Sequence, residues 1–293
     1  MKNLKEIPIY SEQESFFNQQ FTDFFIADYQ DKEDELPNRV KAHRHTYYEI
    51  IWVRQGKGIH TIDFDEFSFD GPCLFLLHPQ NIHTITKERR SEGGVIKFGT
   101  TFFYGDNDKA DFMLKYGVFD DIDRLPVIRL THEEACDVAL LFNQIRREYE
   151  SKDAFAPAIL VAYLKIFLLK IFQIKKKSVN KICFQHPDFI RYQRFLTLLD
   201  SNYKTQQKVS FYADTLSISP RTLSNLTNRF TGKSTQALIQ DRLILEAKRL
   251  LYHSDYSIKE IAYLLNFQDV SYFNRFFLKN ASATPLNFRN KGR

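Results

Sequence analysis

An internal repeat in the C-terminal third of the chain constrains the fold most. Two segments follow one pattern, VSFYADTLSISPRTLSNLTNRF at residues 209–230 and SIKEIAYLLNFQDVSYFNRFF at residues 257–277. Each has a short helix with an alanine midway, a leucine three residues later, a turn, a capping residue and a second helix. Because the small residue lets the two helices cross closely, the repeat predicts two helix-turn-helix units in an all-α C-terminal domain.

The second helix of each unit has a recognisable start. Ser219 precedes Pro220, and Asp269 holds the matching place in the second copy. Serine and aspartate cap helix N-termini by accepting backbone N–H hydrogen bonds, and proline suits the first helical turn. Between the copies, one long helix is predicted over STQALIQDRLILEAKRLLYHS, with core positions at Leu238, Ile239, Leu243, Ala247, Leu250 and Leu251.

Charge divides the chain into two parts. Residues 191–293 contain 16 Lys/Arg against 7 Asp/Glu, a net charge of +9, whereas residues 1–190 contain 25 against 29, a net charge of −4. A basic module attached to a mildly acidic body is typical of a protein that binds a polyanion.

Two recognition helices about 50 residues apart can enter successive major grooves of DNA, roughly 34 Å apart. Arginine pairs with guanine and asparagine with adenine, whereas serine, threonine and lysine more often contact phosphates. The outward-facing side chains predicted to contact DNA are Arg221, Thr222, Ser224, Asn225, Asn228, Val270, Ser271, Asn274, Arg275 and Lys279.

The region from residue 38 to residue 100 has the pattern of short strands. Five segments are rich in β-branched or aromatic residues and end at turn residues: 49–53, 58–64, 67–69, 73–77 and 94–98. We predict hairpin turns at Asp65-Glu66 and Gly71-Pro72, and the glycine pairs Gly56/Gly58 and Gly93/Gly94 also favour turns over phosphate-binding loops. Several short strands at near-regular spacing predict a small barrel or jelly roll.

A helical period begins after Pro126. Thr131 is a candidate cap with Glu133 and Glu134 in the first turn, and a second helix is predicted over residues 154–175. The short SKD turn joins them into an antiparallel hairpin. Its apolar surface either covers the barrel or meets a partner chain.

Bulk features predict a cytoplasmic protein that does not enter a membrane. The segment MKNLKEIPIYSEQESFF has no apolar core typical of a signal peptide. The most apolar run, 159–174, is interrupted by two lysines and is shorter than the ~20 residues that span a bilayer. The three cysteines form no CxxC pair, which suits a reducing compartment.

The segment HRHTYYE at residues 43–49 raises a separate question. His43, His45 and Glu49 share strand parity, so a regular strand directs them to one face. Tyr47, Ile51 and Val53 have the same parity, and opposite strands are expected to add His60, Ile62, Phe64 and Phe98. The pattern fits a metal site, the wall of a ligand pocket, or a histidine hydrogen-bonded to Glu49 for structural reasons.

The stretch from about Ser210 to Arg289 resembles the DNA-binding domain of AraC/XylS-type bacterial transcription regulators. The resemblance runs through ADTLSISPRTLSNLTNRFTGKS, RLILEAKRLL, SIKEIAYLLNFQDVSYFNRFF and TPLNFR. Departures are Asn266 and Ser282 at usual glycine positions, Phe288 for tyrosine, and Thr227 for an aromatic residue. By position, the resemblance implies base contacts by Arg221, Ser224, Asn225, Val270, Ser271, Asn274 and Arg275.

The segments HRHTYYEIIWVRQGKG and HPQNIHTI resemble the cupin-type sensor domain that these regulators often carry. In metal-dependent cupins this pattern holds a metal, which here would use His43, His45, Glu49 and His83. Because the regulators mostly bind a small effector without metal, we expect no cofactor. The expected effector pocket contains His43, His45, Tyr47, Glu49, Ile51, Arg54, His60, His83 and Phe98, with Arg54 a candidate partner for an acidic ligand.

The combined expectation is a two-domain α+β protein. It has a cupin-like barrel or jelly-roll domain (1–126), a helical hairpin for dimerisation (127–176), a linker (177–188) and a double helix-turn-helix domain (189–293). The resemblance implies a non-enzymatic regulator that acts as a homodimer on double-stranded promoter DNA, responds to a small-molecule effector, and activates transcription through RNA polymerase. The alternative is a metal-dependent cupin enzyme, of dioxygenase or isomerase type, attached to a DNA-binding module.

Overall fold

The structure is a computed structural model. It describes residues 8–11, 21, 23–30, 38–39, 42–79, 81–88, 90–99, 102, 119, 126–178 and 187–291. The chain divides into two compact units, Pro8–Lys181 and Ile182–Arg293. The first combines strands with two helices, and the described part of the second is helical.

The described strands of the first unit form three sheets. The strands are β1 (Ile9–Tyr10), β2 (Phe24–Gln30), β3 (Asn38–Arg39), β4 (Arg44–His45), β5 (Tyr48–Gln55), β6 (Lys57–Ile62), β7 (Asp65–Asp70), β8 (Cys73–Leu77), β9 (His83–Lys87), β10 (Glu92–Phe98) and β11 (Val127–Arg129). The five-stranded sheet has the order β11-β8-β5-β10-β2, the four-stranded sheet β3-β9-β6-β7, and β1 pairs with β4. Both larger sheets are antiparallel.

The five-stranded sheet is buried on both faces. One face packs against the four-stranded sheet and forms an inner core of Val53, Ile62, Phe69, Cys73, Phe75, Leu77 and Ile85. The opposite face carries Ile50, Trp52 and Ile96 into an outer core shared with helices. Burial on both sides explains why CLFLL reads as a continuous apolar run rather than an alternating one.

Two helices cover the outer face of this sheet. They are α1 (His132–Glu150) and α2 (Ala156–Ser178). The predicted cap is confirmed, because Thr131 and Glu134 form a reciprocal capping box at the start of α1. Phe142 of α1 packs over Gly94, where an added Cβ would lie 2.1 Å from the ring. The hairpin therefore covers the barrel, as one of the two predicted roles requires.

The helix α2 also has the length and composition of a membrane span. Among the described residues, Ala156–Lys175 is the segment that meets this criterion. Its side chains at Leu160, Leu164 and Phe167 lie in the outer core, against the sheet. This burial accounts for the apolar composition of that face of the helix.

Two predicted turns of the first unit were misplaced. The hairpin turn between β6 and β7 lies at Asp63-Phe64, with Ile62 paired to Asp65, instead of at Asp65-Glu66. Asp63 takes the left-handed conformation there, at φ 55°, which aspartate tolerates better than most residues. Gly93 and Gly94 lie within β10, and Gly58 lies within β6, rather than in turns. Neighbouring groups leave no room for a side chain at these positions, which accounts for the glycines.

The second unit contains seven described helices. They are α3 (Pro187–Asn202), α4 (Val209–Thr215), α5 (Pro220–Thr231), α6 (Thr235–His253), α7 (Ile258–Leu264), α8 (Val270–Ala281) and α9 (Pro285–Lys291). Helices α4 and α5 form the first helix-turn-helix, and α7 and α8 the second, with the long α6 between them. Ala213 and Ala262 are fully buried, as the close crossing of the helices requires.

Both recognition helices begin as predicted. Ser219 accepts a hydrogen bond from the backbone N–H of Thr222, and Asp269 accepts one from Tyr272. Pro220 is the first residue of α5. The turn before each recognition helix contains one left-handed residue, Ser217 (φ 54°) or Asn266 (φ 61°).

Candidate effector pocket and nucleic-acid interface

Backbone pairing brings four histidines and a glutamate together in the first unit. His43 and His83 exchange backbone hydrogen bonds of 3.1 and 2.9 Å. β9 continues alongside β6, which carries His60. The register between β5 and β10 sets Glu49 opposite Lys97.

Glu49 lies at the centre of this cluster. Its Oε2 is 3.4 Å from His45 Nε2 and 3.5 Å from His83 Nε2. Its other oxygen, Oε1, is 3.6 Å from Lys97 Nζ. The exposed fractions of His45, Glu49 and His83 are 0%, 5% and 3%, so water screens these charges little.

A second layer of contacts orients the two imidazoles. His60 Nε2 lies 3.1 Å from His83 Nδ1, and the ring of His60 meets the edge of Phe75 at 4.5 Å. His45 Nδ1 lies 2.7 Å from the carbonyl oxygen of Tyr47, and the His45 ring stacks on the Tyr47 ring at 4.4 Å. The His45 and His83 rings are thus each held by ring packing and by a polar contact.

Burial and charge shift the pKa values of this cluster in a consistent way. Burial by itself raises the pKa of the Glu49 carboxyl, but the contact with His45 and the charge of Lys97 hold that pKa well below its usual range. Burial lowers the pKa of His60 to about 3 and the pKa of His83 well below its usual value. At neutral pH the cluster therefore combines an anionic carboxylate with uncharged His60 and His83 rings.

Most of the predicted pocket residues lie in or beside this cluster. The His43 ring is 4.2 Å from the His83 ring and outside the set of three side chains that converge most closely. Tyr47 is buried, and Ile51 packs against the inner core.

Two predicted pocket residues lie elsewhere. Arg54 is 57% exposed at the end of β5 and pairs with Glu92 at 2.8 Å. Phe98 belongs to the outer core, stacked on Tyr48 on the helix-covered side of the sheet. Successive residues of a strand face opposite sides, so Phe98 and Glu49 cannot share a face when Lys97 pairs with Glu49.

Sequence reasoning missed Lys97 as a member of the cluster. Assigning Phe98 to the barrel interior placed Lys97 on the opposite face. The available signal was that lysine is the one charged residue in GVIKF. A charge within an apolar strand that is buried on both faces needs a partner, here Glu49.

The first recognition helix presents a polar surface. Arg221, Thr222, Asn225 and Asn228 are exposed on α5. Ser224 is half-buried, with its hydroxyl 3.5 Å from the Thr235 hydroxyl. Their contacts with DNA stay predictions.

The second recognition helix presents a mixed surface. Ser271, Asn274, Arg275 and Lys279 are exposed on α8, and Val270 is half-buried at its first position. Sequence reasoning missed two exposed apolar side chains on this helix, Tyr272 and Leu278. Leu278 is four residues after Asn274, and this spacing was the signal that it shares a helix face with the predicted contacts.

Two family models match the chain. One is described as an AraC-like ligand binding domain and matches residues 32–103. The other is described as a helix-turn-helix domain and matches residues 212–291. Together they cover more than half of the 293 residues.

Similar proteins span most of the chain. The HTH-type transcriptional activator RhaS of Escherichia coli O1:K1 / APEC is 23% identical over 88% of this chain and 90% of its own length. The HTH-type transcriptional regulator YfiF of Bacillus subtilis (strain 168) is 25% identical over 84% of this chain and 78% of its own length. Among solved structures, ToxT of Vibrio cholerae is 17% identical over 91% of this chain and 98% of that chain, with a TM-score of 0.42.

Proposed function

Since the chain belongs to the AraC-type transcription regulators, we propose that it binds promoter DNA through both helix-turn-helix units under the control of a small-molecule effector. Residues 1–126 bind the effector, residues 127–176 support dimerisation, residues 177–188 are the linker, and residues 189–293 bind DNA. The protein acts in the cytoplasm.

The observation that carries the DNA-binding proposal is the pair of capped helices α5 and α8. Each begins at a side-chain cap and exposes polar side chains able to reach base edges, with arginines at Arg221 and Arg275. The net charge of +9 over residues 191–293 favours approach to the phosphate backbone. These features together match a helix-turn-helix reader better than a solvated helical bundle.

Genome-wide footprinting of the full-length protein tests this proposal and supplies its DNA site. Binding to that site is then compared for the wild type, for Arg221→Ala and Arg275→Ala combined, and for Arg90→Ala. Arg90 is an exposed arginine of the first unit, and Arg90→Ala is the control for losing an arginine outside the recognition helices. An affinity that falls as far for Arg90→Ala as for the double variant would contradict base reading by these helices.

We also propose that the protein activates transcription by contact with RNA polymerase. The relative RhaS is named as a transcriptional activator, which supports this direction. Transcription in vitro from the footprinted promoter should rise when the protein is added with its effector. A fall in transcript would assign repression instead.

An exposed apolar stripe on α2 supports a homodimer. Ile159, Ala162 and Ile166 are exposed on α2 at the 3-4 spacing of a coiled-coil seam, and exposed Phe155 lies directly before the helix, four residues ahead of Ile159. Phe155 is 73% exposed and Ile166 is 49% exposed. Analytical sedimentation of the full chain should show a dimer. Ile159→Glu and Ile166→Glu should each convert this dimer to monomers, whereas Gln173→Glu, on the exposed surface of α2, is the control and should leave it intact.

The barrel is proposed to bind its effector without transforming it. Candidate small molecules are screened by thermal unfolding, followed through the fluorescence of Trp52, the one tryptophan of the chain. A ligand whose free concentration is about 100 times its Kd stabilises the folded state by about 2.7 kcal/mol. Recovery of a chemically altered ligand would support the alternative, a metal-dependent cupin enzyme.

A further inference from the structure

The two recognition helices carry different side chains at matched positions. The residues of α5 and α8 correspond with an offset of 50 in sequence. Two large apolar side chains are exposed on α8, Tyr272 by 56% and Leu278 by 48%. The matched residues of α5 are Thr222 and Asn228. A lone exposed apolar residue is ordinary, but two on one helix, where the repeat has polar residues, indicate that the two helices contact different chemical groups.

Tyr272 and Leu278 flank Arg275 on the exposed side of α8. Each lies three residues from that arginine, and residues three apart are neighbours on a helix surface. The buried Phe273 and Phe277 mark the opposite side of the helix. The exposed side chains therefore form one row, with an arginine between two apolar groups, on the surface that contacts DNA in the proposed function.

Two contacts orient Tyr272 in the first turn of α8. Its backbone N–H donates a hydrogen bond of 2.6 Å to the carboxylate of the cap Asp269. Its ring lies 5.8 Å from the ring of Phe267, which is itself buried beside the rings of Phe273 and Phe276. A side chain that is oriented before binding loses less conformational entropy in a complex. Tyr272 therefore presents a preorganised apolar surface.

The matched positions of α5 have polar side chains. The Thr222 hydroxyl lies 2.8 Å from the Ser219 hydroxyl, and the Thr222 backbone N–H donates to the same Ser219 oxygen. This threonine is therefore engaged in the cap of the helix. Asn228 carries an amide, which donates and accepts hydrogen bonds. The helix α5 is thus equipped for hydrogen bonds, whereas α8 adds apolar surface beside its arginine.

Thymine is the base that presents an apolar group in the major groove. Its C5 methyl distinguishes it there from the donor and acceptor patterns of the other bases. Side chains three residues apart lie about 5–6 Å apart on a helix surface, which corresponds to one or two base pairs at a rise of roughly 3.4 Å. Apolar groups on both sides of a guanine-reading arginine therefore fit thymines on both sides of that guanine.

We propose that Tyr272 and Leu278 make α8 specific for thymine. Their side chains contact the C5-methyl groups of thymines one or two base pairs to either side of the guanine that pairs with Arg275. The part of the site that α5 reads lacks this requirement, so one chain binds two unlike sequences through two repeated motifs. This inference rests on the proposed DNA-binding function and adds the base that one helix reads.

The test replaces each thymine of the footprinted site, one at a time, with deoxyuridine. This base keeps the pairing of thymine and lacks only the methyl group. Fluorescence anisotropy of the full-length wild type should show an affinity about four-fold lower at the contacted thymines, as expected for one buried methyl group. If uracil has no effect at any position, the proposal is overturned, while specific binding to the unmodified site leaves the proposed function standing.

Matched variants assign the effect to its side chains. Tyr272→Thr and Leu278→Asn place the residues of α5 at the matched positions of α8, and each should abolish the uracil effect at its own thymine. Tyr272→Phe keeps the ring and should keep the effect. Tyr263→Thr removes a tyrosine of α7 that is 52% exposed, and this control should also keep it. If Tyr272→Thr or Leu278→Asn leaves every uracil effect in place, or if Tyr263→Thr removes one, the proposal is overturned.

A measurement on the wild type alone covers the case in which a variant does not fold by circular dichroism. Cytosine and 5-methylcytosine differ by the same methyl group in the major groove. When either replaces a uracil-sensitive thymine, with guanine as its partner, the 5-methylcytosine site should bind about four-fold more tightly than the cytosine site. Equal binding of the two sites overturns the methyl contact.

Discussion

The two helix-turn-helix units share a backbone conformation and differ in the side chains of their cores. Their second helices align with an offset of 50 residues, from the caps Ser219 and Asp269 to the C-caps Gly232 and Ser282. Both C-caps are left-handed, at φ 68° and 54°. Yet glycine holds this position in the first unit and serine in the second, so the geometry is imposed by the motif rather than by the residue.

The interiors differ more strongly. Thr227 is fully buried in the first unit, and its hydroxyl lies 3.1 Å from that of Thr235. The equivalent position in the second unit is Phe277, whose ring contacts the rings of Phe273 and Phe288. A hydrogen-bonded hydroxyl pair and an aromatic cluster thus occupy the same place in one motif. Caps and turns determine the backbone conformation of the motif, and the core side chains determine how much buried apolar surface stabilises it.

The largest predicted difference between the units concerns these two core positions. Phe277→Ala should lower the free energy of unfolding by ~3–5 kcal/mol, because it removes a large buried ring. Thr227→Val should cost only about 1 kcal/mol, because it removes hydrogen bonds while keeping the volume. Far-UV circular dichroism follows both variants in denaturant. Trp52 fluorescence reports the strand-containing unit Pro8–Lys181, which neither substitution touches, as an internal control. Equal losses would mean that the two interiors contribute alike.

The exposed faces should differ in DNA recognition. Arg275→Ala should weaken the free energy of binding to the specific DNA site by ~1–3 kcal/mol, because arginine pairs bidentately with guanine. Asn225→Ala removes the residue at the matching position of the first unit, and we expect a loss of about 1 kcal/mol there.

Fluorescence anisotropy on specific and random DNA separates base reading from phosphate contact. Lys279→Ala should weaken binding on both sequences alike and reduce the salt dependence, as a phosphate contact does. If Arg275→Ala weakens both sequences equally, its role is also phosphate contact.

Substitutions at the two C-caps should change the stability of the protein in opposite directions. Gly232→Ala places a Cβ in a left-handed conformation and should destabilise the protein by about 1 kcal/mol. Ser282→Gly relieves that conformation and should stabilise it by roughly 0.5–1 kcal/mol after the loss of backbone entropy. Thermal unfolding followed by circular dichroism measures both. Stabilisation by Gly232→Ala would show that the cap conformation is not maintained.

The smallest expected effect lies in the turns before the recognition helices. Ser217 and Asn266 both have positive φ, yet asparagine adopts this region more readily than serine. Asn266→Gly should therefore change stability by only a few tenths of a kcal/mol, and Ser217→Gly should stabilise by about 0.5 kcal/mol. The same thermal unfolding experiment compares the stabilities of the two variants. A larger gain for Asn266→Gly than for Ser217→Gly would contradict the stated preference of asparagine for positive φ.

Local features of the helical unit were predictable because their causes lie within a few residues. The caps at Ser219 and Asp269, the capping box at Thr131 and the small Ala213 and Ala262 follow from side chains near their own backbone. Sequence reasoning on α6 named only apolar core positions and missed Glu246 and Arg249, which are buried as an ion pair. A buried charge is found only when its partner is known.

The histidine cluster around Glu49 shows the same division. Strand parity in HRHTYYE predicted that His45 and Glu49 share a face of one regular strand, but the structure divides the segment between β4 and β5 with a bend at 46–47. Parity also says nothing about the register of a neighbouring strand. The β5–β10 register decided that Lys97, and not Phe98, faces Glu49. Arg54 is separated from the cluster for another reason, because it lies at the exposed end of β5, beyond the buried part of that strand.

The sequence by itself determined the double helix-turn-helix, its caps and the capped hairpin that follows the barrel. These depend on contacts three or four residues apart, which the order of residues specifies directly. Tertiary structure decided how five strands place buried His45, Glu49, His60 and His83 around one carboxylate, and it alone added half-buried Lys97 to that cluster. Those contacts join residues far apart in the chain, and their distances follow from sheet register and two-sided burial rather than from any local pattern.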